Sequence, residues 1–301
     1  MSSPTKSLSG YWEGNIYDLQ AIGQGGTAIV FSIDDYRAIK VPISSPFGLQ
    51  AIEQEREIYR LFERKRSEHV IACLNPEHKS GVLLEKCVGS VRGRLRQMQR
   101  GDAGCDAINS KQALALARRW AYEAAQGLAY IHRQGVIQAD VGCHNMLLDR
   151  EGILKLADFS GSGIENTQYR ALVIYDPRSR LSNLDQPDKA SDLFALGSAM
   201  YEMATGHLPY PRLSTKQVQQ RLFGKQFPDL EELRGKAPEI AEAIRGCWNV
   251  KRPGGFTSAD EVVRVLGLRY NNFPQYRVDT SRPQKKDVAK EWFLLFRVFY
   301  I

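Results

Sequence analysis

Residues 138–160 read QADVGCHNMLLDREGILKLADFS, and they hold the most informative spacing in the chain. Asn145 follows Asp140 by five residues, and Asp158 comes thirteen residues after Asn145. Mg²⁺ prefers oxygen ligands, usually one or two carboxylates together with phosphate oxygens and water. Two carboxylates and an amide at this spacing therefore suit a site that holds a divalent metal and aims a hydroxyl at a phosphate.

The residues between Asn145 and Asp158 have the pattern of a short β-hairpin. Met146–Leu148 and Ile153–Leu156 are mainly apolar, and the stretch 149–152 between them, Asp-Arg-Glu-Gly, has the composition of a turn. Because a hairpin brings its two ends together, the sequence predicts that Asn145 and Asp158 lie side by side at its open end.

Length and composition indicate a globular protein with more than one part. A chain of 301 residues is longer than one typical domain, so we expect two lobes. The hydrophobic fraction of 43% and the charged fraction of 25% are ordinary for a soluble protein. No run approaches the roughly 20 apolar residues that span a bilayer, and the first ten residues lack the apolar core of a signal peptide. We therefore expect neither a transmembrane segment nor secretion.

The cysteines point to a reducing compartment. There are five of them, an odd number, and no pair has C-x-x-C spacing. This pattern is typical of reduced thiols rather than of a zinc site or a disulfide framework. The expected location is the cytoplasm, with the nucleus as the other possibility.

The net charge of +7 is partly concentrated in two segments. One contains Arg92, Arg94, Arg96 and Arg100, and the other is the basic stretch 282–290 near the C-terminus. Such clusters can attract acidic peptides or nucleic acid. Since no zinc-finger or RNA-binding signature accompanies them, we interpret the arginines as a solvated helix face and expect no specific nucleic-acid partner.

Periodicity predicts a β-rich first part and a helical second part. In the first part, strand-like runs occupy 19–22, 29–33, 36–41, 70–74 and 81–85, with a glycine turn at 23–27 and a helix at 47–62. In the second part, a long helix begins after Ser110 and ends at Gly135, and further helices span about 190–205, 214–222, 238–248 and 257–266. A small α+β lobe followed by a larger helical lobe is the expected architecture.

Two features of the first part suit phosphate binding. The segment Gly23-Gln24-Gly25-Gly26-Thr27-Ala28 lies between two strands, and glycine allows backbone N–H groups to approach a phosphate closely. Lys40 follows on an apolar strand and needs an anionic partner if it points inward. Glu55, on the apolar side of the next helix, is the expected partner.

The order of these residues resembles that of the eukaryotic protein kinase family. The family pattern is a glycine loop, a V-A-I-K lysine, a helix glutamate, an H-R-D-x-x-x-x-N loop, D-F-G and a later helical aspartate. The matching positions are Gly23, Gly25, Val30, Lys40, Glu55, Asp140, Asn145, Asp158, Phe159 and Asp192. The match covers about residues 17–267. The form of the motifs resembles that in divergent, non-RD kinase-like proteins of filamentous fungi.

The resemblance implies an α+β, bilobal protein-kinase-like fold. It also implies a division of the chain into four parts: a flexible N-terminus at 1–16, a β-rich kinase N-lobe at 17–87, a helical kinase C-lobe at 88–270, and a basic and apolar C-terminal tail at 271–301. The tail ends in the largely apolar stretch WFLLFRVFYI.

The resemblance also implies a role for each matched residue and the use of ATP and Mg²⁺. Lys40, oriented by Glu55, would hold the α- and β-phosphates under the loop of Gly23 and Gly25. Asn145 and Asp158 would hold Mg²⁺, and Asp140 would align or deprotonate the attacking hydroxyl. The residues implied around the adenine are Val30, Ala38, Leu84, Glu85, Cys87 and Leu147. A protein or peptide would be the substrate, with serine or threonine as the default acceptor; the oligomeric state is not readable.

Three departures from the family pattern bear on activity. Gln138 and Ala139 replace the histidine and arginine before Asp140, so no arginine there pairs with a phosphorylated activation loop, and we expect activity independent of that switch. Gly142 replaces the lysine that contacts the γ-phosphate in serine/threonine kinases. Ser160 replaces the glycine of D-F-G, and since serine tolerates positive φ less well, we expect a harder flip of the preceding Asp-Phe pair.

There are two further departures, of which the one at Ala28 is mild. Ala28 stands at the third loop glycine, and Asp176-Pro177-Arg178 stands at A-P-E, which loses a glutamate. Arg170 and Arg178 are candidates for a compensating cation. We interpret His144 as a satisfied structural histidine and Cys143 as an inert thiol, because no adjacent cation clearly lowers its pKa.

Two alternatives to an active protein kinase stay open at this point. A pseudokinase that binds nucleotide or acts as a scaffold is favoured by Gln138, Ala139, Gly142 and Ser160, and is opposed by the intact metal and phosphate residues. A small-molecule phosphotransferase of the aminoglycoside-kinase type shares the D-x-x-x-x-N spacing. The Asp192 helix and the Cys247-Trp248 pair favour the protein-kinase lobe over that third possibility.

Overall fold

The computed structural model describes residues 10–102, 110–169, 171–172, 176–180 and 186–267. The predicted flexible N-terminus up to residue 9, Cys105, Arg170 and the whole C-terminal tail with its basic stretch lie outside the described residues. Among the helices that are described, none combines the length and apolarity that crossing a membrane requires. Within the same ranges, no disulfide links Cys73, Cys87, Cys143 and Cys247 to one another.

The described residues form two compact units. Unit 1 takes residues 10–66 and 71–87, and unit 2 takes residues 67–70 and 88–267. Unit 1 contains most of the strand residues and a single long helix, whereas unit 2 is mainly helical. The predicted order of a β-rich part followed by a helical part is confirmed.

Unit 1 is an antiparallel five-stranded sheet with one helix against it. Its elements are a 3-10 turn at Ile16–Asp18, then β1 (Gln20–Gln24), β2 (Ala28–Ser32), β3 (Arg37–Pro42), α1 (Pro46–Glu63), β4 (Cys73–Asn75) and β5 (Val82–Glu85). The strand order is β1-β2-β3-β5-β4, which places β3 in the centre of the sheet. The predicted strands are present, with boundaries that differ by at most three residues.

Helix α1 begins and packs as its sequence predicts. The Ser45 hydroxyl accepts a hydrogen bond from Gly48 N at 3.0 Å, and Pro46 occupies the first turn, where a missing N–H costs nothing. The periodic residues Ile52, Ile58 and Phe62 are buried. One stripe of α1 therefore faces the core of unit 1.

The first elements of unit 2 lie before, within and just after the 138–160 segment. They are β6 (Gly89–Ser90), α2 (Val91–Arg100), α3 (Lys111–Arg133), β7 (Val136–Ile137), β8 (Met146–Leu148), β9 (Leu154–Leu156) and β10 (Gly163–Ile164). Strands β6, β8 and β9 form one small sheet, and β7 pairs with β10. The remaining helices are α4 (Lys189–Thr205), α5 (Thr215–Phe223), α6 (Glu231–Lys236), α7 (Pro238–Trp248) and α8 (Ala259–Gly267).

Helices α3 and α4 form the core of unit 2. Helix α3 packs against α4 and α8, and α4 packs against α7. The predicted N-cap of α3 is present, because the Ser110 hydroxyl accepts from Ala113 N at 3.0 Å. Asp188 and Ser191 form a capping box at the start of α4. Helix α6 has no side-chain cap and was not predicted from the sequence.

The predicted hairpin is present as β8 and β9. Met146 pairs with Leu156 and Leu148 with Leu154, and the Asp149 carboxylate closes the turn by accepting from Glu151 N and Ile153 N. Gly152 has φ +76°, which favours glycine. Glu123 of α3 accepts a hydrogen bond from Leu154 N at 2.8 Å, so the hairpin is attached to the core helix.

The interpretation of the arginine cluster as a solvated helix face is wrong for Arg92. Its Nε and Nη2 donate to the two carboxylate oxygens of Glu202 at 2.7 and 2.8 Å, and Glu202 is buried on α4. Burial acts to lower the pKa of Arg92, but the bonds and charge of Glu202 outweigh it, and the pKa lies above its ordinary value. The pair attaches α2 to the core of unit 2.

Breaking this pair is expected to destabilise the protein. Arg92→Ala leaves the Glu202 carboxylate buried without its cation, so we expect a loss of about 3–5 kcal/mol in the free energy of unfolding. Arg100→Ala on the same helix removes a surface pair with Asp102 and should cost under about 1 kcal/mol. Urea denaturation of both variants measures the difference, and equal losses would contradict the structural role of Arg92.

Candidate active site

In unit 1, the strand register brings four predicted site residues to one face of the sheet. Val30 pairs with Lys40, and Ala38 pairs with Leu84. Directly opposed residues share a face, and side chains two positions apart on a strand also share one. Val30, Ala38, Lys40 and Leu84 therefore lie on the same face.

Lys40 and Glu55 form the expected ion pair. Nζ of Lys40 lies 2.6 Å from Oε2 of Glu55, and the side chains are 8% and 0% exposed. The hydroxyl of Tyr59, one turn further along α1, donates to Oε1 of Glu55 at 3.3 Å. A buried pair needs such supporting bonds, because desolvation of both charges is costly. The ammonium group is thus held in a defined position.

Glycine 81 permits the close backbone contact behind Lys40. Gly81 has φ +155°, and a β-carbon there would lie 2.0 Å from the carbonyl oxygen of Lys40. Because glycine has no side chain to occupy this space, the segment before β5 can lie directly against β3 at Lys40.

The glycine loop is shorter than the sequence predicts. Gly23 belongs to strand β1 and pairs with Val30, so the turn consists of Gly25, Gly26 and Thr27. Gly25 N donates to Ala28 O at 2.8 Å, which closes the turn. None of these glycines has a positive φ. A β-carbon on Gly26 would meet nothing within 4 Å, so the turn is open to an approaching group.

The two remaining predicted residues of unit 1 lie at the end of β5. Glu85 accepts a hydrogen bond from Ala72 N at 2.7 Å, so its side chain is engaged within unit 1. Cys87 is half-buried two residues later. The resemblance implies that the backbone of this segment contacts an adenine, and the side-chain bond of Glu85 is compatible with that.

In unit 2, Asp140 and Asn145 lie together in the loop between β7 and β8. The Asn145 amide donates from Nδ2 to Oδ2 of Asp140 at 2.8 Å and to the Asp140 carbonyl at 3.1 Å. Nε2 of His144 lies 3.1 Å from the same Oδ2. The Asp140 side chain is 19% exposed, so the carboxylate is positioned by its neighbours but still reachable.

The hairpin brings Asp158 next to this loop. Ala157 N donates to Asn145 O at 2.9 Å, so Asp158 follows directly after the residue that pairs with Asn145. Asp158 is exposed and has φ +60°. Oδ1 of Asp158 accepts from the Ser160 hydroxyl at 2.7 Å. Leu147, on the opposite face of β8 from the buried Met146 and Leu148, is half-buried.

The described conformation places no backbone strain on Ser160, and the harder flip of the Asp-Phe pair stays a prediction. Ser160 does not have a positive φ; the left-handed residue in this segment is Asp158. Replacing the D-F-G glycine by serine therefore adds no backbone strain here. The serine instead adds a hydroxyl that binds the aspartate.

Asp192 anchors the loop that carries Asp140. Its buried carboxylate accepts from Gln138 N, from Ala139 N and from Nε2 of His132, each at 2.9 Å. Ala139 has φ +65°, an unfavourable conformation for a residue with a side chain. The two bonds from the loop backbone to Asp192 hold the loop in this conformation just before Asp140, and the bond from His132 of α3 holds the Asp192 carboxylate.

Gln138 joins two segments of unit 2, the loop that carries Asp140 and the stretch that carries Asp158. Its Nε2 donates to the Ala157 carbonyl at 2.9 Å, and its own carbonyl accepts from the Ser162 hydroxyl at 2.8 Å. The side chain that replaces the family histidine therefore joins the Asp140 loop to the segment of Asp158. The roles of Gln138, Ser162 and His132 were missed from the sequence, since no local pattern marks them.

The other residues singled out from the sequence have structural contacts. Arg178 donates to the Leu213 carbonyl at 3.0 Å, so this candidate cation is bound to backbone. Cys143 is fully buried with its Sγ 3.4 Å from the Ala199 carbonyl. Burial raises the pKa of this thiol well above its ordinary value, which agrees with an inert cysteine.

Asn145 and Asp158 offer few protein ligands, which suits Mg²⁺ bound together with phosphate and water rather than a metal bound by protein side chains alone. Within the described ranges, no group of three or more His, Cys, Asp or Glu side chains could hold a metal ion. Since Nδ2 of Asn145 donates to Asp140, the amide oxygen is the side-chain atom left to act as a metal ligand. An amide oxygen and an exposed carboxylate are hard donors that leave most positions to phosphate and water, as Mg²⁺ requires.

The chain matches a protein family model and is similar to several known sequences. The model "Protein kinase domain" matches residues 17–263. The chain is 29% identical to serine/threonine-protein kinase 4 homolog B and 27% identical to a probable serine/threonine-protein kinase, both of Dictyostelium discoideum. It is 22% identical to serine/threonine-protein kinase CTR1 of Arabidopsis thaliana.

These alignments cover much of this chain but little of the relatives. Each covers 76% of this chain, and they cover 21%, 25% and 28% of the three relatives. The similarity thus concerns one region of longer proteins.

Proposed function

Because the chain belongs to the protein kinase domain family, we propose that it transfers the γ-phosphoryl group of ATP to serine or threonine hydroxyls of proteins, with Mg²⁺. The observation that carries the proposal is the carboxylate of Asp140, which is held by Asn145 and His144 and stays partly exposed. The serine/threonine assignment is supported by the names of the relatives. The family match favours protein acceptors over small molecules.

Each unit supplies its own group of residues to this activity. In unit 1, Lys40 presents a fixed ammonium group to the phosphates, and Val30, Ala38 and Leu84 provide an apolar surface for a purine. In unit 2, Asn145 and Asp158 are the residues that would hold Mg²⁺, and bound Mg²⁺ neutralises charge on the phosphate oxygens.

Asp140 acts on the acceptor. The hydroxyl oxygen forms a bond to the γ-phosphorus while the bond from that phosphorus to the bridging oxygen of ADP breaks. The hydroxyl proton passes to the Asp140 carboxylate, and ADP leaves. Most of the rate acceleration comes from positioning and charge stabilisation, so the fixed bonds to Asp140 matter more than its basicity.

The test is transfer of label from γ-labelled ATP with Mg²⁺ to the chain itself and to dephosphorylated casein. Asp140→Asn should reduce the rate about 10²–10⁴-fold, because the acceptor loses its aligned base. The matched control is Asp260→Asn, an exposed carboxylate of the same unit, which should transfer at the native rate. Equal rates for the native chain and Asp140→Asn would overturn the proposal.

A pseudokinase is the second candidate, and the Ser160–Asp158 bond favours it. The serine hydroxyl occupies an oxygen of the carboxylate that the proposal assigns to the metal. Thermal-shift titration with ATP and Mg²⁺ distinguishes the two candidates. Nucleotide binding without transfer by the native chain would identify a pseudokinase.

Removing the serine hydroxyl is expected to strengthen metal binding. In Ser160→Ala, Oδ1 of Asp158 no longer accepts that bond, so half-maximal activity or thermal shift should need about three- to tenfold less Mg²⁺. Ser160→Thr keeps the hydroxyl and should behave as the native chain does. An unchanged Mg²⁺ requirement in Ser160→Ala would show that the bond does not compete with the metal.

A further inference from the structure

The loop that carries Asp140 contains a pair of residues that depend on each other. A β-carbon on the buried Gly142 would lie 2.7 Å from both Cε1 and Nδ1 of the His144 ring. Gly142 does not have a positive φ, so its backbone conformation does not require glycine. Glycine is needed at this position because the imidazole ring of His144 occupies the space that a side chain would take.

The ring placed in this space holds the Asp140 carboxylate. Nε2 of His144 lies 3.1 Å from Oδ2 of Asp140, which also accepts from Nδ2 of Asn145 at 2.8 Å. Among the described residues, Oδ1 of Asp140 accepts no hydrogen bond. Two donors on one oxygen fix the plane of the carboxylate and leave the other oxygen for a substrate hydroxyl.

The environment of the other ring nitrogen argues against a purely structural role for His144. Nδ1 of His144 is buried and has no hydrogen-bond partner among the described residues. A structural histidine usually satisfies both nitrogens when they are buried. Leaving Nδ1 without a hydrogen bond is energetically unfavourable. The hydrogen bond from Nε2 to Asp140 offsets this cost.

From this geometry we infer that His144 is a positioning residue that fixes the Asp140 carboxylate for phosphoryl transfer, and that Gly142 is required to admit its ring. The inference deepens the proposed function and rests on it. A side chain at position 142 and the ring of residue 144 exclude each other, so the effects of changing the two positions will not be independent.

The test is a double-mutant cycle on kcat and KM for transfer to dephosphorylated casein. We expect His144→Ala to lower kcat about 10- to 100-fold, with KM for ATP nearly unchanged, because a hydrogen bond to a charged group is lost. Gly142→Ala should lower kcat about tenfold by displacing the ring. The double variant should be no slower than His144→Ala alone. His144→Gln, whose Nε2 can replace that of histidine, should recover most of the loss.

Three outcomes would overturn the inference: a native rate in His144→Ala, no recovery in His144→Gln, or losses that multiply in the double variant. The control is His207→Ala, an exposed histidine of the same unit. A chain that transfers no phosphate would refute the proposed function, and the inference would then be decided by nuclear magnetic resonance of the ¹⁵N-labelled imidazoles. His144 should carry its hydrogen on Nε2 in the native chain and lose this preference in Gly142→Ala and Asp140→Ala; unchanged spectra would refute the geometry.

Discussion

Lys40→Met is expected to lower phosphoryl transfer about 10²–10³-fold, since it removes a fixed cation from the charge that develops on the phosphates. The structural basis is the short contact of Lys40 with Glu55, which holds the ammonium group on the same face as Val30, Ala38 and Leu84. Glu55→Gln keeps the size of the partner but removes its charge, so it should cause a smaller loss than Lys40→Met.

A lower transfer rate caused by removing the cation must be distinguished from one caused by partial unfolding. Lys40→Met leaves the Glu55 carboxylate buried without its partner, which typically costs about 3–5 kcal/mol. Transfer rates should therefore be compared at a temperature where circular dichroism shows both proteins folded. Lys79→Met, an exposed lysine of the same unit, is the control and should transfer at the native rate. Native transfer by folded Lys40→Met would rule out a role for this lysine.

Asp192→Asn should be among the most destabilising single substitutions in unit 2. The carboxylate accepts from two backbone N–H groups and one imidazole, and it is fully buried. Asparagine offers one acceptor oxygen in place of two, so at least one buried donor is left unpaired. We expect a loss of about 3–5 kcal/mol in the free energy of unfolding, together with a lower transfer rate as the Ala139 conformation relaxes.

Asp188→Asn is the matched control for this effect. Asp188 caps the same helix, and asparagine caps helices as well as aspartate does, so the change should cost about 1 kcal/mol or less. Thermal and urea unfolding of the two variants give the comparison. Similar losses for both would show that the bonds from Asp192 to the loop contribute little.

The local features of the fold could be predicted from the sequence because their causes are local. The hairpin at 146–156 follows from two apolar runs around a turn that ends in glycine, and the start of α3 follows from Ser110 as an N-cap. The Lys40–Glu55 pair was also expected, since a lysine on an apolar strand requires an anion and the next helix offers one on its apolar side.

The features that could not be predicted depend on partners far away in the chain. Arg92 looks like part of a solvated cluster until its contact with Glu202, 110 residues later, is known. The bonds from Asp192 to Gln138 and Ala139 span more than 50 residues. The relation between Gly142 and His144 is close in sequence, but it depends on a ring orientation that no residue pattern encodes.

Phosphoryl transfer by this chain is proposed to depend on the residues around Asp140 and Asp158. The most direct measurement is the amount and type of phosphoamino acid formed from γ-labelled ATP and Mg²⁺ by the native chain and by Asp158→Ala. We expect phosphoserine or phosphothreonine with the native chain and none above background with Asp158→Ala. Equal labelling by the two proteins, or no labelling by either, would contradict this expectation.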